Sequence, residues 1–97
     1  MPTYVILVRI TDEGAKGIKD APAHVEESKK AFEATGCKMV AHYFVMGEYD
    51  AVAIVEAPSD EVLMTHMAGV GAQGEIRTTT LRAFPTEEFA EMVKKLP

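Results

Sequence analysis

The stretch Cys37–Ala57, CKMVAHYFVMGEYDAVAIVEA, decides the fold of this chain. Residues that favour β-strands fill Cys37–Met46 and again Tyr49–Ala57, and only Gly47 and Glu48 separate the two runs. A two-residue connection that begins with glycine is typical of a type II′ hairpin. We therefore predict two neighbouring antiparallel strands in the middle of the chain.

A strand and a helix precede this hairpin. Tyr4–Ile10 is rich in valine and isoleucine, which predicts a first strand. Ile18, Val25 and Phe32 then recur at seven-residue steps, which indicates one buried face of a helix. Gly36 is the expected end of that helix, because glycine adopts the left-handed conformation there without steric cost.

A second helix follows the hairpin. Pro58 ends the strand before it, and Ser59 is the expected N-cap. Leu63, Met67 and Val70 form its predicted buried stripe. The glycines at positions 69, 71 and 74 predict that the helix frays early.

A fourth strand over Ile76–Phe84 and a short C-terminal helix complete the chain. Thr86 is the predicted cap of that helix, and Phe89 and Val93 are expected to dock it on the body. The order of elements is βαββαβ plus one helix, which predicts a single α+β domain over residues 1–97 with a ferredoxin-like fold. The folded area expected for 97 residues, ~5,500 Å², allows one modest core.

Both faces of the central strands are apolar. Val5 and Leu7 alternate with Ile6 and Val8, and the run Ala51–Val55 is apolar throughout. Helices cover only one face of such a sheet, so the other would expose an unusually large apolar patch in a monomer. We predict a homodimer or a higher symmetric oligomer in which a second copy covers the open face.

Composition excludes several classes of protein. Fifteen acidic against ten basic residues give a net charge of −5, and the basic residues are scattered, so we expect no nucleic-acid partner. The N-terminal apolar run is too short to span a bilayer or to serve as a secretion signal, so we expect no membrane partner and a cytoplasmic location. Three dispersed histidines and one cysteine do not make a zinc site, and we expect no metal and no cofactor.

The hairpin sequence Gly47-Glu48-Tyr49-Asp50 resembles the Gly-x-Tyr-Asp motif of the GYD-domain family. The start Pro2–Val5, the run Val52–Pro58 and the late stretch Arg77–Phe84 are also similar to that family's pattern. The resemblance spans nearly the whole chain and implies a dimeric α/β-barrel of ferredoxin-like type. It implies no particular activity.

The histidine of the second strand, His42, is the candidate for acid–base chemistry. Its reference pKa near 6.5 suits a general base, and it shares a strand face with Phe44 and Met46. The alternative is a histidine held by a backbone carbonyl at an interface. His24 and His66 are expected on helix surfaces or in helix packing.

Two further groups of residues are candidates for binding. Tyr49 and Asp50 either shape the hairpin or form a hydrogen-bonding pair at a cavity mouth, although adjacent strand residues point to opposite faces. Arginines embedded among β-forming residues can hold a carboxylate or phosphate in two hydrogen bonds, or pair with an acid. The complete set of ligand-binding candidates is Arg9, His42, Tyr49, Asp50, Thr78, Thr80 and Arg82.

Three functions remain open from the sequence. The leading one is a small-molecule-binding module with its pocket between two subunit sheets or at the hairpin mouth. The second is a cofactor-independent isomerase or monooxygenase of the related barrel type, with His42 as the base and an arginine as the anion stabiliser. The third is a structural subunit of a larger symmetric assembly.

Overall fold

Four antiparallel strands form one sheet in the computed structural model, which describes all 97 residues. They are β1 (Thr3–Ile10), β2 (Lys38–Phe44), β3 (Ala51–Glu56) and β4 (Ile76–Ala83). Their order in the sheet is β2-β3-β1-β4, and every neighbouring pair is antiparallel. This arrangement confirms the predicted ferredoxin-like fold.

The helices fill the predicted places in the order. They are α1 (Asp12–Ala15), a 3₁₀-helix (Ile18–Asp20), α2 (Ala21–Ala34), α3 (Asp60–Gln73) and α4 (Thr86–Val93). The region predicted as one helix before β2 is therefore divided, with α2 beginning only at Ala21. None of the helices combines the length and apolar character that crossing a bilayer requires.

The two faces of the sheet differ in burial. Tyr4, Ile6 and Val8 of β1 point toward the helices and are buried, whereas Val5 and Leu7 point to the opposite face and are half-buried. The same alternation runs along β3. The buried core consists of Tyr4, Ile6, Val8, Phe32, Cys37, Met39, Ala51, Ala53, Val55, Ala57 and Leu63.

The opposite face of the sheet, which we call the open face, is largely apolar. Strand register places on it Val5 and Leu7 of β1, Val52 and Ile54 of β3, and Leu81 of β4. The chain exposes 6716 Å², about 1,200 Å² more than a compact monomer of its mass. Its radius of gyration, 14.8 Å, likewise exceeds the ~12.5 Å expected for a compact domain.

Two of the predicted helix ends are confirmed and one is corrected. The Ser59 hydroxyl accepts a hydrogen bond from the Val62 amide at 3.2 Å, and Gly36, which follows the Thr35 cap of α2, has a φ of +83°. The predicted early fraying of α3 is wrong. Gly69 and Gly71 lie inside the helix, and Gly74, with a φ of +79°, ends it.

The predicted two-residue hairpin turn is also wrong, although β2 and β3 do pair antiparallel. The connection spans residues 45–50, because the ladder stops at Phe44 and resumes at Ala51. The Asp50 amide donates to the Val8 carbonyl at 2.8 Å, and the Asp50 carboxylate accepts from the Ile10 amide at 2.7 Å. These bonds tie the connection to β1, while the Val45 amide donates to the Asp50 carbonyl at 2.9 Å and closes a loop of four residues, 46–49.

The C-terminal helix does not dock on the body of its own chain, contrary to expectation. Phe89 is 59% and Val93 44% exposed, and α4 has no buried residue. Thr86 is its first helical residue, and Pro85 precedes it without a side-chain cap. The molecule measures 53 Å along its longest axis, and we attribute part of that length to this undocked helix.

Candidate functional site

A cavity of about 650 Å³ lies between the sheet and the helices α2 and α3. We call it the helix-side cavity. Its floor is the covered face of the sheet, with Ile6 and Val8 of β1 and Ala51 and Ala53 of β3. The cavity exists because α2 packs closely only at its C-terminal end. Phe32 near that end is buried, Val25 is half-buried, and Ile18 before the helix is 51% exposed.

All three histidines of the chain line this cavity, one from α2, one from β2 and one from α3. The His66 ring stacks on Phe32 with 4.0 Å between ring centroids and 17° between planes. The His42 ring meets Phe44 edge-on, with centroids 5.0 Å apart. The third, His24, is solvent-exposed at the cavity wall, and the three histidines do not form a group that could hold a metal ion.

A β-bulge decides that His42 faces the helices. Register shifts between Met39 and Ala41, so Val40 is extra in β2. Met39 and His42 are three residues apart and would otherwise lie on opposite faces of a regular strand. With the bulge, both point to the covered face, opposite Val55 and Ala53.

Burial lowers the pKa of both His42 and His66 below the ordinary value of 6.5. Both rings are therefore neutral at neutral pH, and each offers one N–H donor and one acceptor nitrogen. The hydroxyls of Ser28 and Thr78 add neutral donors and acceptors to the same cavity. The cavity is thus largely apolar with a few uncharged polar groups, and its only charged lining residues, Glu27 and Glu75, are solvent-exposed.

The lowered pKa values predict how stability depends on pH. Protonation of His42 and His66 is disfavoured in the folded chain, so their contribution is complete above the unfolded pKa of about 6.5 and falls away as the pH drops below it. We expect urea midpoints to fall between pH 7.5 and 5, and to fall less in the variant with His42→Phe and His66→Phe. The other titratable groups of the cavity, His24, Glu27 and Glu75, remain in that variant, so an unchanged pH slope would contradict the prediction.

The hairpin holds a second cluster on the surface. An Arg9 guanidinium N–H donates to the Glu48 carboxylate at 2.8 Å, and the same guanidinium lies 4.8 Å from the centroid of the Tyr49 ring. Asp50 is engaged with the Ile10 amide. The Arg9–Glu48 ion pair is solvent-exposed, and pairs of this kind contribute about 0–1 kcal/mol.

A third cluster lies where α3 begins. The Tyr4 hydroxyl donates to the Asp60 carboxylate, and burial, followed by this carboxylate, raises the pKa of Tyr4 to about 12. The Arg82 guanidinium lies over the rings of Tyr4 and Phe84, at 5.6 and 4.4 Å, and donates to the Thr3 carbonyl at 3.2 Å. Arg82 is thus satisfied by rings and backbone, without an acidic partner.

The structure distributes the seven predicted binding residues over these three places. His42 and Thr78 line the helix-side cavity, and Arg9, Tyr49 and Asp50 belong to the hairpin. Thr80 and Arg82 lie at the third cluster, where they line a groove beside α3 together with Tyr4 and Asp60. Arg9 and Arg82 lie near opposite ends of the β1/β4 ladder, opposite Arg77 and Tyr4 respectively. The set therefore does not form one site.

Sequence reasoning missed the parts of the cavity that the helices supply. It assigns His66 to a helix surface or to helix packing, and Phe32 only to a buried stripe. The sequence carries a partial signal that His66 lies near the core, because it immediately precedes Met67, a residue of the predicted buried stripe. The distance between Phe32 and His66 along the chain hides the stacked pair.

The fold and the cavity thus define the class of the protein: it is a ferredoxin-like domain with an apolar cavity between its sheet and its helices. A comparison with protein families matches residues 4–93 to the GYD domain. The chain belongs to the GYD domain family, as the hairpin motif indicated.

Known proteins resemble the chain to different degrees. The glutamine synthetase and cystathionine beta-lyase binding protein of Thermus thermophilus is 33% identical over 95 residues, covering 97% of this chain and 100% of that protein. A solved structure of a Thermus thermophilus protein has 26% identity and a TM-score of 0.54, covering 88% of this chain and 95% of that one.

A regulatory protein shares the fold over part of its length. The feast or famine regulatory protein of M. tuberculosis, solved in complex with L-methionine, has a TM-score of 0.65 at 19% identity. The match covers 88% of this chain and 51% of that protein, so the chain spans about half the length of this structural relative. At this identity the likeness concerns the fold alone.

Proposed function

We propose that this GYD domain is a small-molecule-binding module and that its site is the helix-side cavity. The cavity itself is the observation that carries the proposal. Its volume of about 650 Å³ lies within the ~300–1,000 Å³ typical of ligand sites, and apolar side chains with a few placed polar groups line it. The sequence placed the pocket between two sheets or at the hairpin, whereas this cavity lies on the other face of the sheet.

A cavity-filling variant tests the proposal. Thr78 of β4 points into the cavity, so Thr78→Phe is expected to weaken binding of the neutral dye Nile red by roughly tenfold or more, because lost contacts of about 1.4 kcal/mol change affinity tenfold. The measurement is a fluorescence titration. The neighbouring Thr79 lies on the open face, so Thr79→Phe is the matched control and should leave the affinity unchanged. Equal binding by both variants would refute the assignment of the site.

We also propose that two copies associate through their open faces. The area that the chain exposes beyond a compact monomer, about 1,200 Å², exceeds the ~800 Å² that one partner contributes to a standard interface. Apolar side chains of β1, β3 and β4 lie side by side on the open face, and a second copy brings the same apolar face to it. Such a dimer would leave the helix-side cavity on its outer side.

Sedimentation tests this association. Leu7 lies in the middle of the open face, so Leu7→Lys is expected to weaken the dimer by roughly thirtyfold or more, since a central interface change costs about 2 kcal/mol. Met46→Lys, at a side chain 99% exposed in the hairpin connection, is the control and should sediment as the dimer does. A wild-type chain that sediments as a single copy at micromolar concentration would remove the proposal.

A second candidate function is docking on a metabolic enzyme. The observation that favours it is the full-length relative at 33% identity, which is named for binding glutamine synthetase and cystathionine beta-lyase. The exposed apolar side chains of α4 and the residues after it, such as Phe89 and Leu96, supply contact area outside the open face. Co-sedimentation of the purified chain with these two enzymes from its own organism tests the idea, and separate boundaries for all three proteins would oppose it.

The two remaining alternatives from the sequence receive less support. A catalytic His42 calls for a neighbouring carboxylate or arginine, whereas its ring contacts Phe44 and all three arginines are engaged elsewhere. A purely structural subunit has no use for a cavity of about 650 Å³, which is the size of a ligand site. The cytoplasm stays the proposed compartment, in keeping with the free, buried thiol of Cys37.

A further inference from the structure

The charged groups of the helix-side cavity are all acidic. More than half of its lining residues are hydrophobic, and neither a lysine nor an arginine is among them. The only charged side chains along its wall are Glu27 and Glu75, both solvent-exposed. A ligand inside therefore meets no positive charge, and the two carboxylates, which stay in water, do not compensate a cation that leaves it.

The arginines of the chain are committed to other places. Arg9 pairs with Glu48 at the hairpin, Arg77 donates to the carbonyls of Gly71 and Ile76, and Arg82 lies over two aromatic rings. A carboxylate or phosphate that leaves water requires a charged partner or several hydrogen-bond donors. Anionic metabolites are therefore disfavoured in this cavity.

Two pairs of aromatic rings also line the cavity. The stacked pair of Phe32 and His66 lies on the helix side, and the edge-on pair of His42 and Phe44 lies on β2. Aromatic rings prefer offset-stacked or edge-to-face neighbours, which add about 0.5–1.5 kcal/mol to the burial of their area. The imidazole nitrogens and the Thr78 hydroxyl can exchange hydrogen bonds with one uncharged polar group on a ring.

We propose that the ligand of the helix-side cavity is an uncharged aromatic compound, held between the Phe32–His66 and His42–Phe44 pairs. This inference rests on the proposed function and names the class of ligand for the same cavity. It excludes amino acids, whose carboxylate would find no partner, and phosphorylated metabolites for the same reason.

Three probes with one ring system and different charges test the class. Indole is neutral, indole-3-acetate is anionic and tryptamine is cationic at about pH 7.5. Calorimetric titration of the full chain is expected to give the tightest binding for indole and binding at least about tenfold weaker for indole-3-acetate, the equivalent of about 1.4 kcal/mol. Tightest binding of either charged probe would overturn the inference.

A gain of charge provides the reciprocal test. Thr78→Arg places a guanidinium at the cavity floor and is expected to reverse the order of indole and indole-3-acetate, whereas Thr79→Arg on the open face should not. An unchanged order in Thr78→Arg, with the fold intact by circular dichroism, counts against the inference.

The two proposals fail in different ways. If Thr78→Phe abolishes Nile red binding but the indole series does not follow the expected order, the cavity binds ligands of another class and only this inference fails. If Nile red binding is insensitive to Thr78→Phe, the proposed site fails and the inference falls with it.

Discussion

Replacing Phe32 with alanine is expected to lower the free energy of unfolding by about 3–5 kcal/mol, the loss typical of a buried phenylalanine. Phe32 is 4% exposed and is the only buried residue of α2. Its ring also stacks on His66 of α3, so one side chain attaches α2 both to the sheet and to its neighbouring helix. For a chain of this size, the melting temperature should fall by about 15 °C or more.

Urea denaturation at one protein concentration measures this loss, and two variants delimit its cause. Phe32→Leu keeps most of the volume and should lose only about 1.5 kcal/mol or less. Phe89→Ala removes the same ring from a side chain that is 59% exposed and should have little effect on the isolated chain. A cost below about 1 kcal/mol for Phe32→Ala would show that α2 is attached by other contacts.

The fold was predictable because hydrophobic periodicity encodes it directly. The runs Tyr4–Ile10 and Ala51–Val55 are apolar at both parities, and the structure places them as β1 and β3 in the middle of the sheet. The predicted two-residue turn at Gly47 and Glu48 failed for a different reason. Its positive φ is expected from its residue type, but the bonds of Asp50 to Val8 and Ile10 join distant segments and set the length of the connection.

The candidate site was only partly predictable, because a single bulge sets the direction of His42. Residues 38–44 alternate in a way that fits either face, and the extra Val40 is recognisable only from the pairing of β2 with β3. Thr78 and Thr80 share a face, as their spacing predicts, yet they line different spaces, each of which is bounded by residues of α3. Strand parity gives the face of a residue, and the packing of helices then decides which cavity it enters.

The second large effect is expected at Gly14, where Gly14→Ala should destabilise the chain by about 2–3 kcal/mol through overpacking. A Cβ added at this position would clash with the Glu75 carbonyl oxygen, which is backbone and cannot swing away. The same oxygen accepts hydrogen bonds from the amide and the hydroxyl of Thr11, both at 3.0 Å. The methyl group therefore pushes α1 away from the start of β4 and breaks the bonds that hold it there.

Gly71→Ala is the matched control, with the same chemical change and the opposite expected sign. Gly71 lies inside α3 with nothing within 4 Å of an added Cβ, so alanine should stabilise the chain by about 0.5–1 kcal/mol through its higher helix propensity. A urea midpoint that falls in Gly14→Ala and rises in Gly71→Ala identifies contact with Glu75, rather than glycine flexibility, as the constraint at position 14. Since Gly14 also lines the helix-side cavity, its variant should weaken Nile red binding while Gly71→Ala leaves it unchanged. Midpoints that rise together would mean that α1 does not pack closely against Glu75.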